Sequence, residues 1–324
     1  MRGVLLLLLI LFSPELCAQN QATSPAGPKT NHDPQAAQLI TSDIDNFWKA
    51  FDAGSPGNRR ASFQRDYFEK GSAGLQAFKR ARIDQCSLIE TIAAHPGFYA
   101  AIRQSTLRVE SMKPQIRASF RKLKSLYPDA VFPDVYFLIG CMNSAGTTAD
   151  AGLLIGTEMY GRTPAIPQSE LDSWLKQVLK PIELVPQIVA HELIHYQQHY
   201  PAGEKTLLRE SIKEGSADFI GELISGGNIN SGLHVYADAK ERELWDEFRR
   251  DMNGTDLNKW LYQGESASDR PADLGYYVGY RICEAYYRNA KDKKRAIREI
   301  LQVNDFARFL RDSGYEAKFN RGAG

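Results

Sequence analysis

Within "VAHELIHYQQHY", residues 189–200, histidines recur at every fourth position, His191, His195 and His199, and Glu192 follows the first of them. Side chains four apart share one face of a helix, a turn along. The stretch therefore constrains the fold more than any other: it asks for a helix that turns His191 and His195 toward one point. Pro186 suits the first turn of such a helix, where a missing N–H does no harm, and Pro201 ends it. The uncharged Leu193 and Ile194 between the histidines fit a helix facing a core. H-E-x-x-H is the pattern of a metal site with two imidazole ligands and a carboxylate serving as general base.

His199 does not belong to that pair on a continuous helix. It lies about 12 Å along from His191 at 1.5 Å per residue, while a zinc–nitrogen bond is about 2.1 Å. An exposed helix end is its expected place. The metzincin pattern would need a further histidine at position 201, which is Pro201. Catalytic zinc takes three protein ligands and leaves one position open, so the third must come from elsewhere. "ESIKEGSADF" offers Glu210, Glu214 and Asp218 at steps of four, and Ala217, Phe219 and Ile220 mark this helix as packed. Glu214 is the expected ligand, with Asp218 holding the far nitrogen of His191 and fixing its tautomer. Glu210 as ligand with Glu214 in support is the alternative.

The chain opens with "MRGVLLLLLILFSPELCAQN". A basic start, a short apolar run and a small residue before the cut read as a signal peptide over residues 1–18, cleaved after Ala18. The run is far short of the roughly 20 residues a membrane helix needs. Bulky Leu16 before Cys17 argues against a lipid anchor on that cysteine. No later segment is apolar enough to span a membrane. The mature protein is therefore expected to be exported, periplasmic or secreted. Lys+Arg 40 against Asp+Glu 39 leaves a net charge of +1, which gives no electrostatic case for nucleic acid or a membrane surface. Cys86, Cys141 and Cys283 are scattered and odd in number, so buried free thiols are expected.

Residues 19–38 are polar and without periodicity, a disordered leader that carries His32. Residues 39–324 read as a single domain, with a helical part over 39–126 and a catalytic core over 127–290. "TSDIDNFWKAFDAG" has helix spacing at Ile44, Phe47, Trp48 and Phe51 and ends on Gly54. His95, before Pro96, reads as a loop residue. Val135–Gly140 and "GLLIGTEMY" bracket a loop of small and polar residues, the signature of paired strands. The fold class is thus α+β, mostly helical, with one small sheet before the motif helix. "LGYYVGYRICEAYY" sets Tyr276 and Tyr280 on one helix face as oxyanion donors, or as an aromatic core stripe; His234 is a further candidate.

"HELIH" followed by "EGSAD" resembles the gluzincin arrangement, in which a following helix supplies the ligand and its supporting aspartate. "SDIDNFWKAFD", "QIVAHELIHYQQ", "EGSADFIGEL" and "LGYYVGYRICEAYY" are similar to a bacterial family of predicted zinc-dependent proteases and to related gliding-motility lipoproteins. The likeness runs from Ile40 past Tyr287. It implies a zincin-like fold and peptide-bond hydrolysis with Zn²⁺ on His191, His195 and Glu214, Glu192 as base and a peptide or protein as substrate. Zincins commonly hold an extended peptide against a sheet edge, and "AGLLIGTEMYG" precedes the motif helix as such a strand would. The short gap between His195 and Glu214 departs from many gluzincins and keeps Glu210 open. A non-catalytic zinc-binding envelope or assembly protein is the competing reading, and a hydrolase of non-peptide amides is a minor third.

Overall fold

The computed structural model describes residues 30–55, 57–263 and 270–320. The expected signal peptide, Cys17 and the leader up to residue 29 lie outside the described residues. Among the described residues the architecture is α+β and mostly helical around one four-stranded sheet. Strand β1 (Leu39–Ile40) pairs parallel with β2 (Val135–Leu138), and β2 pairs parallel with β4 (Gly152–Gly156). Strand β3 (Gly146–Ala149) runs antiparallel to β4 and closes the order β1-β2-β4-β3.

Two sequence expectations change here. The two apolar runs do pair, but the small-residue loop between them is itself a strand. The segment "GLLIG" expected at the edge is instead interior, buried along its length as its continuous apolar run requires. The edge strands are β1 and β3, and β3 is the one beside the motif segment; its Gly-Thr-Thr-Ala lacks the bulk that marks a strand in a sequence.

The leader also ends earlier than expected. Phe132 N donates to Asn31 O at 2.7 Å, Asn31 Nδ2 donates back to Phe132 O at 3.0 Å, and Val135 N donates to Gln38 O at 2.8 Å. Ala37 is buried. Residues 31–38 are thus laid along the chain entering β2 by backbone bonds, which leave no apolar periodicity to read. Cys86 and Cys141 are likewise not free thiols: they form a disulfide, and Cys283 is the free, buried cysteine among the described residues.

Helix Ser42–Ala53 buries Ile44, Phe47, Trp48 and Ala50 against the sheet's neighbourhood. Three later helices build the site. The motif helix spans Val185–Gln197, with Pro186 in its first turn. The acidic helix spans Leu207–Ser225; Thr206 caps it by accepting from Arg209 N, and Gly226 at φ 82° ends it. The aromatic helix spans Leu274–Asn289. The acidic and aromatic helices touch backbone to backbone: a β-carbon on Gly215 would lie 2.1 Å from Gly279 C, and one on Gly279 would lie 1.7 Å from Ser211 O. No side chain fits between them.

Glu158, just past β4, is fully buried, and its Oε1 accepts from Met142 N at 3.3 Å while Oε2 has no partner among the described residues. Burial pushes its pKa up from 4.5 to about 7, only partly offset by the amides of Gly140 and Met142. The fold therefore holds this carboxyl protonated after the unfolded chain has released its proton. Its contribution to stability is full below pH 4.5 and is lost as pH rises toward about 7. Replacement by glutamine should remove that slope. Urea unfolding of wild type and Glu158→Gln at pH 5 and pH 8 is expected to show the wild type losing about 2–3 kcal/mol more between the two. Parallel pH dependence in the two proteins would contradict the burial argument.

Candidate metal centre

The motif helix ends three residues earlier than the sequence suggested. Gln197 anchors its last turn by pairing with both backbone groups of Val131, each at 2.8 Å, and Gln198 is extended. His199 N then donates to Leu301 O at 2.9 Å, and the His199 side chain is exposed. The chain turns away because both glutamines of "HYQQ" are spoken for. Gln198 Nε2 donates to Lys213 O at 2.7 Å and to Ser216 Oγ at 2.9 Å, tying the motif helix to the acidic helix.

These two helices bring His191, His195 and Glu214 together as a group able to hold a metal ion. The Nε2 atoms of the two histidines are 3.0 Å apart, and Glu214 Oε2 lies 3.1 Å from His195 Nε2 and 3.8 Å from His191 Nε2. Tetrahedral ligands with bonds of about 2.1 Å sit roughly 3.4 Å apart, so the spacing suits a small cation. Glu210, the alternative ligand, faces Arg209 Nε at 3.5 Å and is not in the group.

The tautomers follow from the partners. His191 Nδ1 lies 2.8 Å from Asp218 Oδ1, which only accepts, so Nδ1 carries the proton. Asn230 Nδ2 donates to the other Asp218 oxygen at 2.9 Å and fixes that carboxylate. His195 Nδ1 lies 2.9 Å from Gln198 Oε1, an acceptor because Nε2 of the same amide donates elsewhere. Both Nε2 atoms therefore turn lone pairs toward each other and toward a carboxylate. Such a cluster draws in positive charge. Burial by itself lowers the His195 pKa, but Glu214, with Glu192 and Gln198, pushes it up to about 9. Burial raises Glu214, yet His195, His191 and Lys213 hold it well below the usual carboxylate range. A metal ion satisfies the same demand with all three ligand atoms.

Glu192 is buried and has no hydrogen-bond partner among the described residues. Its carboxylate lies over the edge strand: a β-carbon on Gly146 would meet Oε1 at 2.6 Å. Tyr276 stacks beside His191 with ring centroids 6.3 Å apart, and its hydroxyl has no partner among the described residues. Tyr280 is committed elsewhere, donating at 2.9 Å to Oε2 of Glu222, about two turns past Glu214 on the acidic helix. His234 packs on Tyr277 and Tyr280, and its Nε2 is 3.1 Å from Asn228 Nδ2. Sequence reasoning missed Gln198 and also Tyr262, whose hydroxyl donates to Glu214 Oε1 at 2.7 Å. Gln198 carried a signal, three residues after His195; Tyr262 carried none.

Residues 29–252 match the family described as Gliding motility protein GldB, and the chain belongs to this family of gliding-motility lipoproteins. The matched stretch includes His191, Glu192, His195, Glu214 and Asp218 and ends before Tyr262 and the aromatic helix. No curated protein and no solved structure matches the chain. Membership in a lipoprotein family agrees with export, and among the described residues no helix is long and apolar enough to cross a membrane.

Alanine at His191, His195 or Glu214 is expected to weaken metal binding beyond the roughly 10–100-fold typical of losing an outer partner. Alanine at Glu210 or His199 should leave it unchanged. Metal content after equilibrium dialysis checks this; retention by the Glu214 variant and loss by the Glu210 variant would reverse the ligand assignment.

Proposed function

We propose that the protein is an exported zinc metallopeptidase with a zincin-like, gluzincin-type core. The observation that carries this reading is the convergence of two imidazole Nε2 atoms and one carboxylate oxygen beside a buried Glu192 that has no hydrogen-bond partner among the described residues. A purely structural site has no use for that fourth group. Zinc, when bound, polarises a carbonyl oxygen and lowers the pKa of a water molecule.

The remaining chemistry belongs to the chain's own side chains. Glu192, free of protein partners, takes a proton from the attacking water and returns it to the leaving amine. The open edge of β3 offers backbone N–H and C=O groups to an extended peptide, which gives affinity with little sequence preference. Gly146, with no side chain, leaves room there for the Glu192 carboxylate. Tyr276, with its unpartnered hydroxyl beside His191, is the donor best placed to meet an oxyanion. Asp218 and Gln198 hold the two rings so that each presents Nε2.

The competing reading, a non-catalytic zinc-binding assembly protein, draws on the gliding-motility description of the family. One experiment separates the two. Zinc-loaded wild type is expected to cleave an unfolded protein. Glu192→Gln should keep its zinc and lose about 10²–10⁴-fold in turnover. Gly146→Ala, whose methyl would press on Glu192 Oε1 at 2.6 Å, should lower turnover without loss of metal. Stoichiometric zinc with no cleavage by the wild type would instead favour the assembly role.

A further inference from the structure

Glu214 uses its two oxygens differently. Oε2 faces the imidazoles, while Oε1 accepts the Tyr262 hydroxyl at 2.7 Å, with Lys213 Nζ at 3.4 Å. Tyr262 reaches it from an uncommon backbone position, φ 57°, which crowds the β-carbon of an L-residue and costs roughly 1–2 kcal/mol. The residue is 54 % exposed, so burial does not force that conformation. The flanking chain does. Trp260 and Leu261 are fully buried on one side, and Trp260 O accepts from Gly275 N at 2.8 Å. On the other side Gln263 N donates to Asp273 Oδ1 at 3.0 Å, and Asp273 N donates to Gln263 Oε1 at 2.9 Å. Asp273 also has positive φ, 63°. A strained residue clamped from both sides, with one polar contact to a buried carboxylate, is a device for aiming that contact.

We propose that Tyr262 is a positioning residue that fixes Glu214 as a one-oxygen metal ligand and thereby keeps a coordination position open. The proposal rests on the metal-centre reading. A carboxylate can bind a cation through one oxygen or through both. A hydroxyl donated to Oε1 takes one of that oxygen's two lone pairs and holds it turned to Tyr262, leaving Oε2 directed at the histidines. Without that bond, Glu214 is free to chelate through both oxygens and to fill the site that a substrate carbonyl needs.

The test uses the full chain loaded with Co²⁺, read without reference to activity. Competition with a chromophoric chelator gives affinity, and the visible d–d band reports coordination number, being strong for four ligands and weak for more. Tyr262→Phe is expected to lose about 10–100-fold in affinity, with a weakened band. Equal affinity and an unchanged band in Tyr262→Phe, with normal wild-type binding, would overturn the proposal and leave the metal centre standing. Should circular dichroism show the Phe variant misfolded, Tyr262→Asn, which tolerates positive φ better, is held to the same two outcomes. A wild type that binds no Co²⁺ removes the metal centre itself, and the proposal with it.

Discussion

Two imidazole nitrogens 3.0 Å apart, with a carboxylate oxygen 3.1 Å from one of them, repel each other unless a positive charge sits among them. Each nitrogen is held in that role from behind, His191 by Asp218 and His195 by Gln198, so neither ring can relieve the repulsion by changing tautomer. His191 and Glu214 are buried and the His195 side chain is only 14 % exposed, which strengthens the charge interactions among them. Much of the surrounding structure serves to hold these three side chains in a geometry they would not choose alone. The cation they call for is supplied by a proton or by a metal, and only a metal engages all three ligand atoms together.

That geometry is delivered by close helix packing. Gly215, next to Glu214, has no side chain because Gly279 of the aromatic helix occupies the space. The contact lets the two backbones meet, and it brings Tyr276, three residues before Gly279, alongside His191. On the other side of the motif helix, the edge strand approaches Glu192 at a second glycine, Gly146. The pair of helices that carries His191, His195 and Glu214 is thus bracketed by one glycine contact beside Tyr276 and another beside Glu192.

What could be read from the sequence was whatever periodicity or spacing marks. His191 and His195 at four apart, and Glu214 and Asp218 at four apart, share faces of their helices, and the structure brings those faces together. The apolar spacing of Ile44, Phe47 and Trp48 likewise marked a buried helix. The missed features have no such mark. Strand β3 is built from small residues in a register set by its neighbour β4. Residues 31–38 are held by backbone bonds, and Cys86 meets Cys141 through tertiary folding alone. Tyr262 reaches Glu214 across 48 residues and through a backbone angle that a tyrosine seldom adopts. Helix Val185–Gln197 ended early because the side chains of Gln197 and Gln198 found partners, a competition that proline position does not reveal.

X-ray absorption at the metal edge, on protein purified without added metal or chelator, bears most directly on the central claim. One ion per chain with two imidazole nitrogens and oxygen donors, at about 2.0–2.1 Å, is the required result. A stoichiometric ion surrounded by oxygen alone, or no transition metal in folded protein, would contradict it.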